Sequence, residues 1–313
     1  MTNTEWQENV ESSLECPTLD GRRQIQRVTP RLAEVGGIPV NRILPRRQRR
    51  TIGAWCFLDH AGPSRFPEDA PGFRVGPHPH IGLQTFTWMI DGEVLHRDSL
   101  GSEQLVKPGQ VNLMTAGYGI AHTEEAVGAE PILHAAQLWI ALPEADTETQ
   151  PRFDHYPDLP RWMEEGVEAT LLVGEYADRT APTLTFSPLV GVEYRASRDS
   201  ELTLPLKRSF EYGLVALEGG LTVDGEAFGR NELAYIGGQR GSVEVTLSAG
   251  TRLLLLGGEP LGEEILMWWN FVGHSREEIS RAQEEWEQGS ERFGLVPGFE
   301  GDPLQAPPLP WKR

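Results

Sequence analysis

Short apolar runs, each closed by a turn signal, set the strongest limit on how this chain can fold. In the first half they fall at residues 51–58, 84–90, 111–114 and 133–142. Asp91-Gly92, Pro108-Gly109 and Gly117-Tyr118-Gly119 punctuate them. Such runs suit the strands of a sandwich or small barrel better than the helices of a bundle. A second series follows at 169–173, 212–217, 233–236, 242–247 and 252–256. The 34 Gly and 24 Pro among 313 residues supply the turns that so many strands require.

One segment breaks the pattern. Residues 275–286 (SREEISRAQEEW) place Ser275 as a cap and Glu278 three positions later, the spacing of a capping box. Ile279, Ala282, Gln283 and Trp286 then form one stripe, so a short helix is predicted there. Residues 143–160 are acidic, Pro-rich and aperiodic, and predict an interdomain connection. A weak internal repeat relates 78–92 to 205–219 and 108–114 to 230–236. The expectation is an all-β chain with two similar domains in tandem. Residues 1–27 would form a flexible arm, 28–150 and 151–290 the two domains, and 291–313 a Pro-rich tail.

The net charge of -18 argues against nucleic acid as a direct ligand. Residues 22–50 are a local exception, with nine Arg against one acid, Glu34. A solvated strand edge is the first reading of such a stretch, and a nuclear signal or phosphate patch is the second; it is also the feature that would favour a protein partner. Cys16 and Cys56 are too few for a disulfide framework, and the acidic opening lacks the apolar core of a secretory signal. No apolar run reaches the roughly 18 residues of a membrane span. A cytoplasmic location is therefore expected, with no membrane partner.

Histidine is the most informative residue. Seven of the eight (His60, His78, His80, His96, His122, His134 and His155) lie in the first half, and His274 alone lies in the second. His78 and His80 stand at i and i+2, as do His122 and Glu124, so on strands each pair shares a face. Two such pairs on neighbouring strands give three imidazoles and one carboxylate, a donor set for a divalent transition metal. Four protein ligands leave two positions open, which suits a substrate and O2 together. Aligned by the repeat, His78 falls on Pro205, His80 on Lys207, and His122 and Glu124 near Glu244 and Thr246. The second domain therefore has no copy of this set. His96 reads as part of a turn network or ion pair, and Trp268 and Trp269 as interdomain packing. No nucleophile elbow, P-loop or dinucleotide fingerprint occurs.

At these motifs the chain resembles the pirins, bicupin proteins of the cupin superfamily. The resemblance rests on four runs: His78-Pro-His80-x-Gly82-x-Gln84-Thr85, Glu93-x-x-His96-Arg97-Asp98-Ser99-Leu100-Gly101, Met114-Thr115-Ala116-Gly117-x-Gly119-Ile120-x-His122-x-Glu124, and Gln137-Leu138-Trp139 with Leu142-Pro143. It extends over about residues 28–290 and takes in Gly257-Gly258-Glu259-Pro260. It implies two stacked cupin-type barrels, a short C-terminal helix, and one Fe(II) per chain in the first barrel. Its ligands by motif position are His78, His80, His122 and Glu124. The second barrel is expected to be metal-free. Affinity order alone leaves other divalent transition metals open.

The activity implied is that of a dioxygenase acting with O2 on a flavonol such as quercetin or a related phenolic. Glu124 would double as the base that takes the substrate hydroxyl proton. The alternative is an iron-containing, redox-responsive binding protein for transcription factors or metabolic enzymes. Gln84 stands where pirins commonly carry Glu, and Ala135 where they favour Gly. Gln84 and His60 are expected to stand behind the ligands, Gln84 orienting a ligand imidazole or a substrate and His60 lining the barrel mouth or satisfying a neighbouring carboxylate.

Overall fold

The computed structural model describes residues 18–19, 22–66, 72–127 and 132–311. Two short strands, β1 (Thr18–Leu19) and β2 (Arg22–Arg23), pair with each other. Most of the expected N-terminal arm, Cys16 included, lies outside the described residues, but its end does not. Strand β3 (Gln26–Val28) is paired, as shown below.

The first barrel is built from β4 (Arg31–Val35), β5 (Ile38–Leu44), β6 (Trp55–Arg65), β7 (Arg74–His80), β8 (Leu83–Gly92), β9 (Val94–Asp98), β10 (Glu103–Val106), β11 (Val111–Thr115), β12 (Ile120–Ala126), β13 (Ile132–Ala141) and β14 (Arg152–Tyr156). Its large sheet runs β14-β11-β8-β13-β6-β5-β4 and its small sheet β10-β9-β12-β7. The second barrel follows with β15 (Arg161–Glu164), β16 (Val167–Tyr176), β17 (Arg179–Thr180), β18 (Leu189–Ala196), β19 (Ser200–Pro205), β20 (Glu211–Glu218), β21 (Leu221–Val223), β22 (Glu226–Phe228), β23 (Leu233–Gly237), β24 (Ser242–Leu247) and β25 (Arg252–Gly258). Its large sheet runs β15-β16-β18-β25-β20-β23-β3, with β17 paired to β16, and its small sheet β19-β24-β21-β22. Strand for strand the two orders match. The chain is an all-β pair of tandem cupin barrels.

Two strands depart from the expected boundaries, because each large sheet needs a partner at its edge. Residues 152–156 lie in the stretch expected to be a connection and beyond the expected boundary at 150. They pair with β11 and complete the first sheet. Strand β3 precedes the first barrel in the chain, yet it pairs with β23 of the second.

The large sheets meet back to back. Alternation on β8 and β13 sends Phe86, Trp88, Ala136, Leu138 and Ile140 into a shared seam with Leu172, Val215 and Leu254 of the second barrel. The other face of β13, with Ala135 and Trp139, turns into the first barrel's own core. The Trp55 indole crosses the seam, with its N–H aimed at the carbonyls of Val190 and Gly257. Part of the arginine-rich stretch is drawn into internal contacts, while Arg47 stays exposed. Arg42 makes a buried bidentate pair with Asp59, Arg49 lies 3.5 Å over the Tyr235 ring, and Arg27 pairs with Glu226 and Glu232.

After the second barrel the chain returns to the first. A hairpin of β26 (Leu266–Trp268) and β27 (Phe271–Gly273) bridges to Ile81. Helix α1 (Arg276–Glu287) follows, and Ser275 Oγ accepts from the Glu278 N–H as its cap. The Glu278 carboxylate reaches one residue further back than a standard capping box, accepting from the His274 N–H. Ile279 and Ala282 pack with Trp268, Trp269, Ile81 and Ala121, so the paired tryptophans are packing residues. Among the described residues no helix is long and apolar enough to cross a membrane.

Candidate metal centre

The small sheet of the first barrel assembles the histidines. Strands β7 and β12 run antiparallel with His122 opposite His78 and Ile120 opposite His80. A break in register follows between His122 and Glu124. One ring nitrogen from each of His78, His80 and His122 lies within 4.8 Å of the other two. The rings are 4.3 to 5.1 Å apart between centroids, and all three side chains are buried.

The outer nitrogens fix what the inner ones offer. His78 Nδ1 is 2.9 Å from the Gly76 carbonyl, and His80 Nδ1 is 2.8 Å from the Asn270 carbonyl. A carbonyl oxygen only accepts, so both imidazoles donate from Nδ1 and keep a lone pair on Nε2. His78 Nε2 is buried with no hydrogen-bond partner. His80 Nε2 points at His122 Nε2, 3.1 Å away. Burial depresses all three imidazoles, His80 to about 3 and His78 and His122 well below their ordinary value, and neighbouring histidines add to this. Neutral, inward-facing imidazole nitrogens with one left orphaned fit a cation better than a proton or a hydrogen bond.

Glu124 is not drawn into the compact group. It stands two residues beyond His122, 6% exposed, with no side-chain hydrogen bond or ion pair to a described residue. Trp139 lies edge-on to His80, 5.3 Å between ring centroids, and walls the site.

Gln84 and His60 do not stand behind the ligands, which corrects that expectation. Gln84 shares the parity of Phe86 and Trp88 on β8, the strand face turned to the seam. Its amide donates to Thr115 Oγ1 and to the Leu184 carbonyl. His60 likewise faces the seam, 2.7 Å from Asn231 Oδ1 and 2.9 Å from His134 Nε2. The groups that touch the ligands are instead the carbonyls of Gly76 and Asn270, and His96, whose Nδ1 is 3.3 Å from His122 Nδ1. His96 Nε2 also lies 3.1 Å from Asp98 Oδ2, within the turn network expected of it. Burial alone would raise the Asp98 carboxyl, but hydrogen bonds from His96 and the Ser102 amide hold it below its ordinary value.

Residues 37–140 match the family described as Pirin, and residues 191–294 match the Pirin C-terminal cupin domain. The chain belongs to the pirin family. A Pseudomonas aeruginosa pirin named "Putative quercetin 2,3-dioxygenase PA1205" is 59% identical over 313 residues, covering 100% of this chain and 99% of its own. A "Pirin-like protein" of Caulobacter vibrioides is 36% identical over 269 residues, covering 83% of this chain and 91% of its own. Among solved structures, a quercetin 2,3-dioxygenase from Acinetobacter baumannii superposes with a TM-score of 0.89 at 50% identity, over 92% of this pirin and 97% of that chain.

Proposed function

We propose that this pirin is a metal-dependent dioxygenase, with Fe(II) held by His78, His80 and His122 and a flavonol or related phenolic as substrate. One observation carries the metal reading: carbonyls fix two buried imidazoles to offer Nε2 inward, where His78 Nε2 has no partner and His80 Nε2 faces His122. The relatives named for quercetin 2,3-dioxygenation support the reaction class and the aromatic substrate. A metal bound there supplies a Lewis-acid position for a substrate oxygen and O2.

The chain's own residues do the rest. Gly76 and Asn270 hold the imidazoles in orientation. Trp139 excludes water beside His80. Glu124, buried and without a side-chain partner among the described residues, is the carboxylate at hand to take the phenolic proton. Iron enters at one per chain, because the small-sheet strands of the second barrel hold no histidine and turn Leu202, Leu204, Val223 and Val245 into its core. The alternative, an iron-containing redox-responsive binding protein, draws less support from the arginine-rich stretch, since Arg27, Arg42 and Arg49 make internal contacts while Arg47 stays exposed.

The test is anaerobic loading with Fe(II), metal analysis, then oxygen uptake and carbon monoxide release with quercetin. One iron per chain and turnover absent from a His80→Ala control are expected. Two irons per chain, or turnover equal in the control, would overturn the reading.

A further inference from the structure

A line of polar groups leads away from His122 into the edge of the small sheet. His122 Nδ1 lies 3.3 Å from His96 Nδ1, and His96 Nε2 lies 3.1 Å from Asp98 Oδ2. Both outer members sit on β9, where Asp98 pairs in register with His122 and His96 with Glu124. Phe153 stacks on the His96 ring at 4.3 Å and 16° and so fixes its plane. Asp98 Oδ1 accepts from the N–H groups of Leu100 and Ser102, at 2.9 and 3.0 Å. His96 and Asp98 are themselves buried.

Proton positions follow from the far end inward. The Leu100 and Ser102 amides only donate, so they occupy Oδ1 and leave Oδ2 as an acceptor facing His96. His96 then carries its proton on Nε2 and turns the lone pair of Nδ1 toward His122. His122 must donate from Nδ1, which leaves its Nε2 bare. That nitrogen faces the bare Nε2 of His80 at 3.1 Å, a contact with no proton of its own to close it.

We propose that Asp98 and His96 are positioning residues that set the tautomer of His122 and so turn its Nε2 lone pair into the metal centre. This rests on the metal reading given under Proposed function, and the test separates the two. A carboxylate and an amide differ at this place in one respect that matters. With Asp98→Asn, the Leu100 and Ser102 amides keep the carbonyl oxygen, and the NH2 turns to His96. The whole line then reverses: His96 accepts at Nε2 and donates from Nδ1, and His122 accepts at Nδ1 and carries its proton on Nε2. The same isosteric exchange at a catalytic triad leaves geometry intact and installs the wrong tautomer.

The experiment is nitrogen-15 NMR of histidine-labelled, metal-free protein, together with a Co(II) titration. In wild type the His122 proton is expected on Nδ1, and Asp98→Asn should move it to Nε2. Cobalt affinity should fall about 10- to 100-fold in that variant. His96→Phe keeps an aromatic ring on Phe153 and removes the acceptor. It should weaken cobalt in the same direction, and it decides the matter if Asp98→Asn does not fold. A wild-type His122 protonated on Nε2, or variants that bind cobalt as wild type does, would overturn the proposal. A wild type that binds no cobalt removes the metal reading, and the NMR tautomer then decides the line of protons by itself.

Discussion

The two barrels share strand order but differ at six inward-facing positions of the small sheet. In the first, His78 pairs with His122, His80 with Ile120, Asp98 with His122 and His96 with Glu124. The same pairings in the second barrel join Leu202 to Val245, Leu204 to Val243, Val223 to Val245 and Leu221 to Leu247. Every polar side chain of the first set thus has an aliphatic counterpart, and all of these counterparts lie in the second barrel's core. One scaffold therefore supports a buried polar cluster or a continuous apolar one. The backbone does not demand the histidines, so their presence is a matter of chemistry rather than folding.

The comparison can be broken or sharpened by exchange. The largest effect is expected from His78→Leu, His80→Leu and His122→Val together, which write the second barrel's residues into the first. Metal binding should vanish, while urea unfolding of the metal-free protein should show stability lower by about 1–3 kcal/mol, because the Gly76 and Asn270 carbonyls and His96 stay buried and lose the imidazoles that satisfied them. A triple variant as stable as wild type or more so would show that burying the histidines costs the fold as much as their hydrogen bonds return. Next, Glu124→Gln should keep the metal and cut flavonol turnover by about 10²–10⁴-fold, the range for a lost proton acceptor. Loss of metal along with activity would make Glu124 a ligand first.

In the opposite direction, Val245→His should destabilise the second barrel by about 2–4 kcal/mol, since an imidazole there has no polar neighbour in the register. Calorimetry of the purified variant checks this. The smallest effect concerns the seam. Burial lowers His60 to about 3, with His134 adding to the shift and the Asn231 bond opposing it. The folded state therefore resists a proton that the unfolded chain accepts below about 6.5. Stability from His60 is complete above that value and is lost as pH falls toward 3. Between pH 7 and 5 the loss is about 2 kcal/mol. His60→Gln should flatten the urea-midpoint profile over that window by the same amount, and an unchanged slope would place the acid sensitivity elsewhere.

Much of this was legible in the sequence, and its failures have physical causes. The His78/His80 and His122/Glu124 pairs announce themselves because strand parity is local. Ser275 and Glu278 mark the helix start for the same reason. For Gln84 and His60 the same rule is not enough, because parity tells which residues share a face but not which face is the seam. The internal repeat, aligned on its aromatic and apolar strand pattern, matches the histidines to Pro205 and Lys207, and His122 and Glu124 to the vicinity of Glu244 and Thr246. Register moves the match to Leu202, Leu204 and Val245, which resemble them in position alone. The Asn270 carbonyl has no side-chain signature at all, and it acts on a residue 190 positions away.

That carbonyl ties the centre to the order of synthesis. A nascent chain that has emerged through residue 150 already contains every histidine of the cluster, together with His96 and Asp98. It does not yet contain the hairpin whose Asn270 oxygen orients His80. The centre is therefore finished by a hairpin that lies beyond the whole second barrel in the chain, and a metal ion meets its final geometry only once that hairpin has docked on the first barrel.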